Sequence, residues 1–129
     1  MLVDSLKKHV EALTFIHFRE VARRYIQNRG FRGPVVTDGW SDGGTDLRVY
    51  EVGATEPRRV AIQVSVELDW KGKIKSDAAK ALKNLGCNVF IYVSNRRVPD
   101  AQFQPVADKL LSDKGISASK ADRDNVAQF

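Results

Sequence analysis

The chain has 129 residues, 43% of them hydrophobic and 29% charged, with a formal net charge of +5; this is the size and composition of one soluble domain with a single core. Its one cysteine, Cys87, excludes an internal disulfide and any multi-thiolate metal site. No stretch approaches the ~18 apolar residues of a membrane span, and Met1-Leu2-Val3-Asp4 is not a secretory leader, so a cytoplasmic setting is expected.

In chain order, residues 4–29 read as one long helix. Leu6, Val10, Leu13, Val21 and Tyr25 recur at helical spacing, Phe18, Ala22 and Ile26 widen the stripe, Asp4 or Ser5 caps the start, and Asn28-Arg29-Gly30 ends it. Val35-Val36-Thr37 is a short predicted strand, followed by turn chemistry from Asp38 to Gly44. Asp46–Val52 and Arg59–Leu68 are predicted strands joined by a turn over Gly53–Pro57. Lys71–Leu85 reads as a basic helix with Ile74, Ala78, Ala81, Leu82 and Leu85 on its apolar face and Gly86 as its stop. Asn88–Ser94 is a nearly continuous apolar run, as expected of a strand covered on both faces. Asp100–Ser112 is a final amphipathic helix, and the polar residues 116–129 read as a tail or linker that leads to further domains of a longer protein. The order is α-β-β-β-α-β-α over residues 1–115, with the helix before Cys87 making a crossover between parallel strands.

Charge is segregated. Residues 1–33 carry seven Lys/Arg against three Asp/Glu, residues 34–69 three against seven, and residues 70–97 seven against one. An acidic middle between basic flanks suits a carboxylate site approached by a polyanion held from both sides. Within that middle, Gly43-Gly44-Thr45-Asp46 opens one strand, and Gln63-Val64-Ser65 places two polar residues at i, i+2 inside the next. Strand alternation puts Gln63 and Ser65 on one face, with Asp46 expected opposite them on the paired strand. Polar groups in an apolar strand are costly unless they have partners or a function.

With Asp46 on the second strand and the polar pair on the third, the order resembles the PD-(D/E)xK nuclease superfamily, in particular its Mrr-type restriction endonuclease and Holliday-junction resolvase branch. The resemblance covers residues 10–95. It implies a restriction-endonuclease-like α/β core, a small mixed sheet flanked by helices, and Mg²⁺- or Mn²⁺-dependent cleavage of DNA, double-stranded by preference, in restriction or phage defence. Residue by residue, Gly44-Thr45-Asp46-Leu47 matches the aspartate motif, Gln63-Val64-Ser65 the Gln-x-Lys motif, and Glu20 the glutamate of the first helix. Ser65 stands where the family has lysine, which the superfamily tolerates when a neighbouring lysine takes over. Lys71, Lys73 and Lys75 follow the strand, and Lys73 is the expected substitute.

The implied metal donors are Asp46, Gln63, the Val64 carbonyl and Glu20, hard oxygens of the kind Mg²⁺ takes. Glu67 continues the Gln63/Ser65 face as a further acid. Lys71, Lys75, Arg96 and Arg97 are expected to meet the DNA backbone, and a homodimer would cut both strands. The alternative is a nuclease-like domain without hydrolysis that binds nucleic acid or mediates assembly. Trp40, Tyr50 and Trp70 are expected in core or rim packing ahead of base stacking, and Cys87 as a buried filler. His9 and His17 lie too far apart on one helix to chelate a metal together. There is no phosphate-cradling Gly-Lys-Ser/Thr loop, no dinucleotide-binding glycine spacing, no Cys/His zinc set and no nucleophile elbow.

Overall fold

The computed structural model describes residues 5, 6, 8, 15–31, 36–41, 45–52 and 58–127, with the side chains of 15–16, 36–41 and 45–47 outside that description. Expectations for Asp4, His9, Val35, the glycines at 43 and 44 and the 53–57 turn also lie outside the described residues. The elements are α1 (Phe15–Asn28), β1 (Val36–Ser41), β2 (Thr45–Val52), β3 (Arg58–Ser65), α2 (Trp70–Leu85), β4 (Val89–Ser94), α3 (Asp100–Lys114), β5 (Ser117–Ala121) and α4 (Arg123–Ala127). Ser5, Leu6 and Lys8 are helical as well.

The strands form one five-stranded sheet in the order β1-β2-β3-β4-β5. The β1–β2 and β2–β3 pairs are antiparallel, whereas β3–β4 and β4–β5 are parallel. Mixed pairing follows from the connections: a hairpin reverses direction, and a helical crossover restores it. The expected α/β class, the mixed sheet with helices on both faces and the parallel β3–β4 crossover are all present.

Burial divides the core into two layers. On one face Ala61, Phe90 and Tyr92 pack under Trp70, Ile74, Ala78 and Ala81 of α2 and Phe103, Val106, Ala107 and Leu110 of α3. On the other, Tyr50, Val60, Ile62, Val64 and Val93 pack under Phe18, Ala22 and Ile26 of α1 and Val126 of α4. Strand β3 therefore has apolar layers on both sides, and its residues 60–65 are all buried.

The ends of α2 are held by local chemistry. Asp69 accepts a hydrogen bond from the Gly72 amide at 3.3 Å. Gly86 takes a left-handed conformation with φ 69°, and the Cys87 amide donates to the Ala81 carbonyl at 3.1 Å. Gly115 ends α3 in the same way, with φ 70° and the Ile116 amide donating to Leu110 at 3.2 Å.

The structure corrects two expectations. The stretch from Asp38 to Ser41 continues β1 instead of turning, and the register jumps between Asp38 and Trp40, so Gly39 is the extra residue of a β-bulge. Residues 116–129 are not a linker, at least as far as Ala127. Ser117–Ala121 pairs in parallel with β4, and Ile116, Ala121, Asp122 and Val126 are buried. The domain therefore extends beyond residue 115.

Asp122 anchors this last segment. Its carboxylate accepts from the amides of Val98 at 2.9 Å, Asp124 at 3.0 Å and Asn125 at 3.4 Å, and from Lys120 Nζ at 3.4 Å. It thus caps α4 and ties it to the loop between β4 and α3. Asp122→Ala is expected to lower stability by about 2–4 kcal/mol, the sum of a lost cap and stranded buried donors. Urea denaturation of the two proteins measures this directly; a loss below about 0.5 kcal/mol, the range of ordinary surface changes, would show that the segment contributes little.

Candidate functional site

Alternation along β3 puts Ala61, Gln63 and Ser65 toward α2, and Val60, Ile62 and Val64 toward α1. Gln63 and Ser65 are both 0% exposed. In the ladder Gln63 lies between Leu47 and Tyr92, and Ser65 between Thr45 and Ser94. The polar pair anticipated on β3 thus meets a second one, Tyr92 and Ser94, on β4. All four sit toward the carboxyl ends of the parallel strands, where α/β sheets commonly hold ligands.

The lid over this patch is α2, and Asp77 of α2 accepts a hydrogen bond from Gln63 Nε2. A carboxylate offers only acceptors, so the amide must turn its NH₂ toward Asp77. That leaves the buried Gln63 Oε1 with no hydrogen-bond partner among the described residues. Ser65 Oγ accepts from the Glu67 amide at 3.1 Å, and Ser94 Oγ from the Arg96 amide at 3.0 Å. Each serine thereby turns the chain out of the sheet at the end of its strand, which is why β3 stops at Ser65 and not at Leu68. Lys73 Nζ lies 3.7 Å from Glu67 Oε1. The fold therefore assembles Gln63, Ser65, Glu67, Lys73 and Asp77 around one end of β3, with Tyr92 and Ser94 beneath.

Two of the expected site residues do not join them as anticipated. Asp46 pairs with Val64, one residue out of step with Gln63 and Ser65. A one-residue offset changes the face of a strand position, so position 46 belongs with Val64 and not opposite the polar pair. Glu20 is on α1, which covers the Val64 face. It is more than half exposed, hydrogen-bonded to Arg23 and 4.0 Å from Arg24. The Arg23 hydrogen bond foremost holds its carboxyl below the ordinary range, as expected of a surface ion pair. Val64 is paired with Asp46 on one side and Val93 on the other, which puts its backbone within the ladder.

The basic residues divide between surface and structure. Lys71, Lys75, Lys80 and Lys83 are exposed on α2, and Arg97 is exposed beyond β4. Lys71 Nζ sits 5.6 Å from the Trp70 ring centroid, while Trp70 itself is buried against Phe103. Arg96 donates from Nε to the Val66 carbonyl at 3.2 Å, so it braces the exit of β3. Tyr50 packs edge-on against Phe31, and Cys87 is buried with its thiol pushed up by desolvation. Both have the packing roles expected of them.

Among the described residues no three of His, Cys, Asp and Glu come together as a metal-binding group, and no helix is long and apolar enough to cross a membrane. Comparison with family models, curated proteins and solved structures finds no match to this chain.

Asp77, Tyr92 and Ser94 went unrecognised from sequence. Asp77 did carry a signal: it is the only acidic residue in α2, and it sits three residues from Ile74 and four from Ala81, inside the buried stripe.

Burial foremost pushes the Tyr92 hydroxyl up to about 12, the charges of Glu67 and Asp77 add to the rise, and the nearby hydroxyls of Ser65 and Ser94 oppose it. Because the folded state holds this proton more tightly than the unfolded chain, its contribution is complete below pH 10 and is lost as pH rises from 10 through about 12. Spectrophotometric titration of phenolate is expected to lose a late-ionising component in Tyr92→Phe. If the high-pH end of the titration is the same in that variant, the assignment is wrong.

Proposed function

We propose that this chain is a restriction-endonuclease-like domain that cleaves phosphodiester bonds in DNA with Mg²⁺ or Mn²⁺. The observation that carries the reading is the buried Gln63 amide at the end of β3, whose carbonyl oxygen lacks a partner while Lys73 stands at the rim of the same cluster.

The donor types suit Mg²⁺, which takes hard oxygens and keeps several waters, often with one or two carboxylates and substrate phosphates. Gln63 Oε1 is an unsatisfied oxygen of this kind, and Asp77, in contact with the same amide, is a carboxylate on the same face. When bound, the ion would lower the pKa of a water and neutralise charge developing on the phosphate. The chain's own residues attract and orient the substrate. The exposed lysines of α2 draw a polyanion toward the rim, and Lys73 offers its ammonium to a phosphate oxygen there. Its present link to Glu67 is 3.7 Å long and partly solvated, a weak pair that a phosphate can displace.

A second reading, DNA binding without hydrolysis, is favoured by the complete burial of Gln63 and Ser65. Ser65→Lys would bury an ammonium among Tyr92 and Ser94, so simple restoration of the family's lysine is expected to destabilise the fold.

Supercoiled plasmid incubated with the protein in Mg²⁺ or Mn²⁺ separates the readings. Nicking is expected, reduced roughly 10²–10³-fold in Lys73→Ala, the usual cost of one transition-state donor. Cleavage undiminished in Lys73→Ala overturns the site. Salt-dependent binding with no nicking in either metal selects the second reading, and absence of binding removes DNA as the partner.

A further inference from the structure

We infer that Asp77, and not Glu20, supplies the carboxylate of the metal site, with Gln63 as its partner donor; the inference rests on the nuclease reading. Asp77 is in direct contact with the Gln63 amide, on the face of the sheet that Gln63 and Ser65 share. Glu20 lies on the helix that covers the opposite face and is engaged by Arg23 and Arg24.

Three features of Asp77 point to a cation. It is half-buried, so its charge has lost part of its solvation. Among the described residues no Lys or Arg forms an ion pair with it. Lys73, four residues earlier on the same helix and the natural i, i+4 partner, pairs with Glu67 instead. The third feature is independent of the carboxylate: the amide that touches Asp77 is fully buried and has an unsatisfied oxygen. In the absence of an ion the amide NH₂ satisfies the carboxylate. Rotation of the amide about its last bond exchanges NH₂ for oxygen, and the pair then presents two oxygen donors to a divalent cation. A hydrogen bond thus holds the two side chains in register until the ion arrives.

The test uses Mn²⁺, which shares the preference of Mg²⁺ for carboxylate and carbonyl ligands. Free Mn²⁺ is followed by electron paramagnetic resonance during titration of the wild type and of Asp77→Asn, Asp46→Asn and Glu20→Gln. Asn at 77 still offers an oxygen to Gln63 Nε2 and removes only the charge, so the fold is retained, and melting curves of each variant check this. Asp77→Glu, which keeps the carboxylate, is the second variant. The expected result is Mn²⁺ binding by the wild type that weakens at least about ten-fold in Asp77→Asn, the lower bound for loss of even an indirect partner of a metal ligand, and recovers in part in Asp77→Glu. Binding that weakens in Asp46→Asn or Glu20→Gln while Asp77→Asn matches the wild type overturns the inference and leaves the nuclease reading standing. A wild type that takes up no Mn²⁺ overturns both.

Discussion

Strand β3 is covered on both faces, so a polar group on it that finds no partner inside the protein is costly. On the α1 side the solution is purely apolar: Val60, Ile62 and Val64 meet Phe18, Ala22 and Ile26. On the α2 side Gln63 and Ser65 interrupt the apolar layer, and their needs determine what surrounds them. A buried amide left without partners costs about 1–3 kcal/mol, so α2 must present Asp77 to Gln63. The small residues Ala78 and Ala81 on the same stripe let the helix lie close to the sheet, and Ile74 packs without exposure. Polar contact and apolar packing therefore specify the same rotation of α2, with Asp69 and Gly86 setting its ends.

The two faces also separate the charges. Glu20 and its arginines belong to the surface of α1, beyond the sheet from the polar cluster. The lysines of α2 lie on the outside of the very helix whose inner face carries Asp77. Clustered lysines attract polyanions in general, and at physiological salt such attraction reaches only about 8 Å. The carboxyl end of β3 lies within the same segment of structure as these lysines, whereas α1 sits on the far layer.

How much of this was legible in the sequence depended on the strength of each local signal. Strand β4 and helix α2 were readable because an unbroken apolar run and an i, i+4 stripe ending in glycine leave little choice. Strand β5 was not. Ser117-Ala118-Ser119-Lys120-Ala121 has the composition of a linker, and it forms a strand because β4 offers an open edge and Ile116, Ala121 and Val126 bury themselves beside it. An edge strand needs only one apolar face and tolerates lysine. The chemistry of the Gln63/Ser65 pair was visible as polarity in the wrong place. Its register against β2 was not, because no residue type in either strand singles out one pairing, and one step exchanges Asp46 for Leu47 opposite Gln63. Asp77 was hidden by the overall basicity of its helix, and only its phase relative to Ile74 and Ala81 marks it.

Ser65 gains a structural meaning in this setting. Its hydroxyl accepts the Glu67 amide, which turns the chain away from the sheet immediately after β3. Lysine has no acceptor and cannot make that bond. Glu67, held in this way through its backbone, reaches Lys73 with its side chain. Ser65 therefore positions, through Glu67, the lysine that pairs with that glutamate at the rim of the cluster. The serine within the strand and the lysine one turn into the next helix are then two halves of one arrangement. The serine closes the strand end and shields the cluster, and the ammonium of Lys73 stands at the rim on α2, where solvent reaches it.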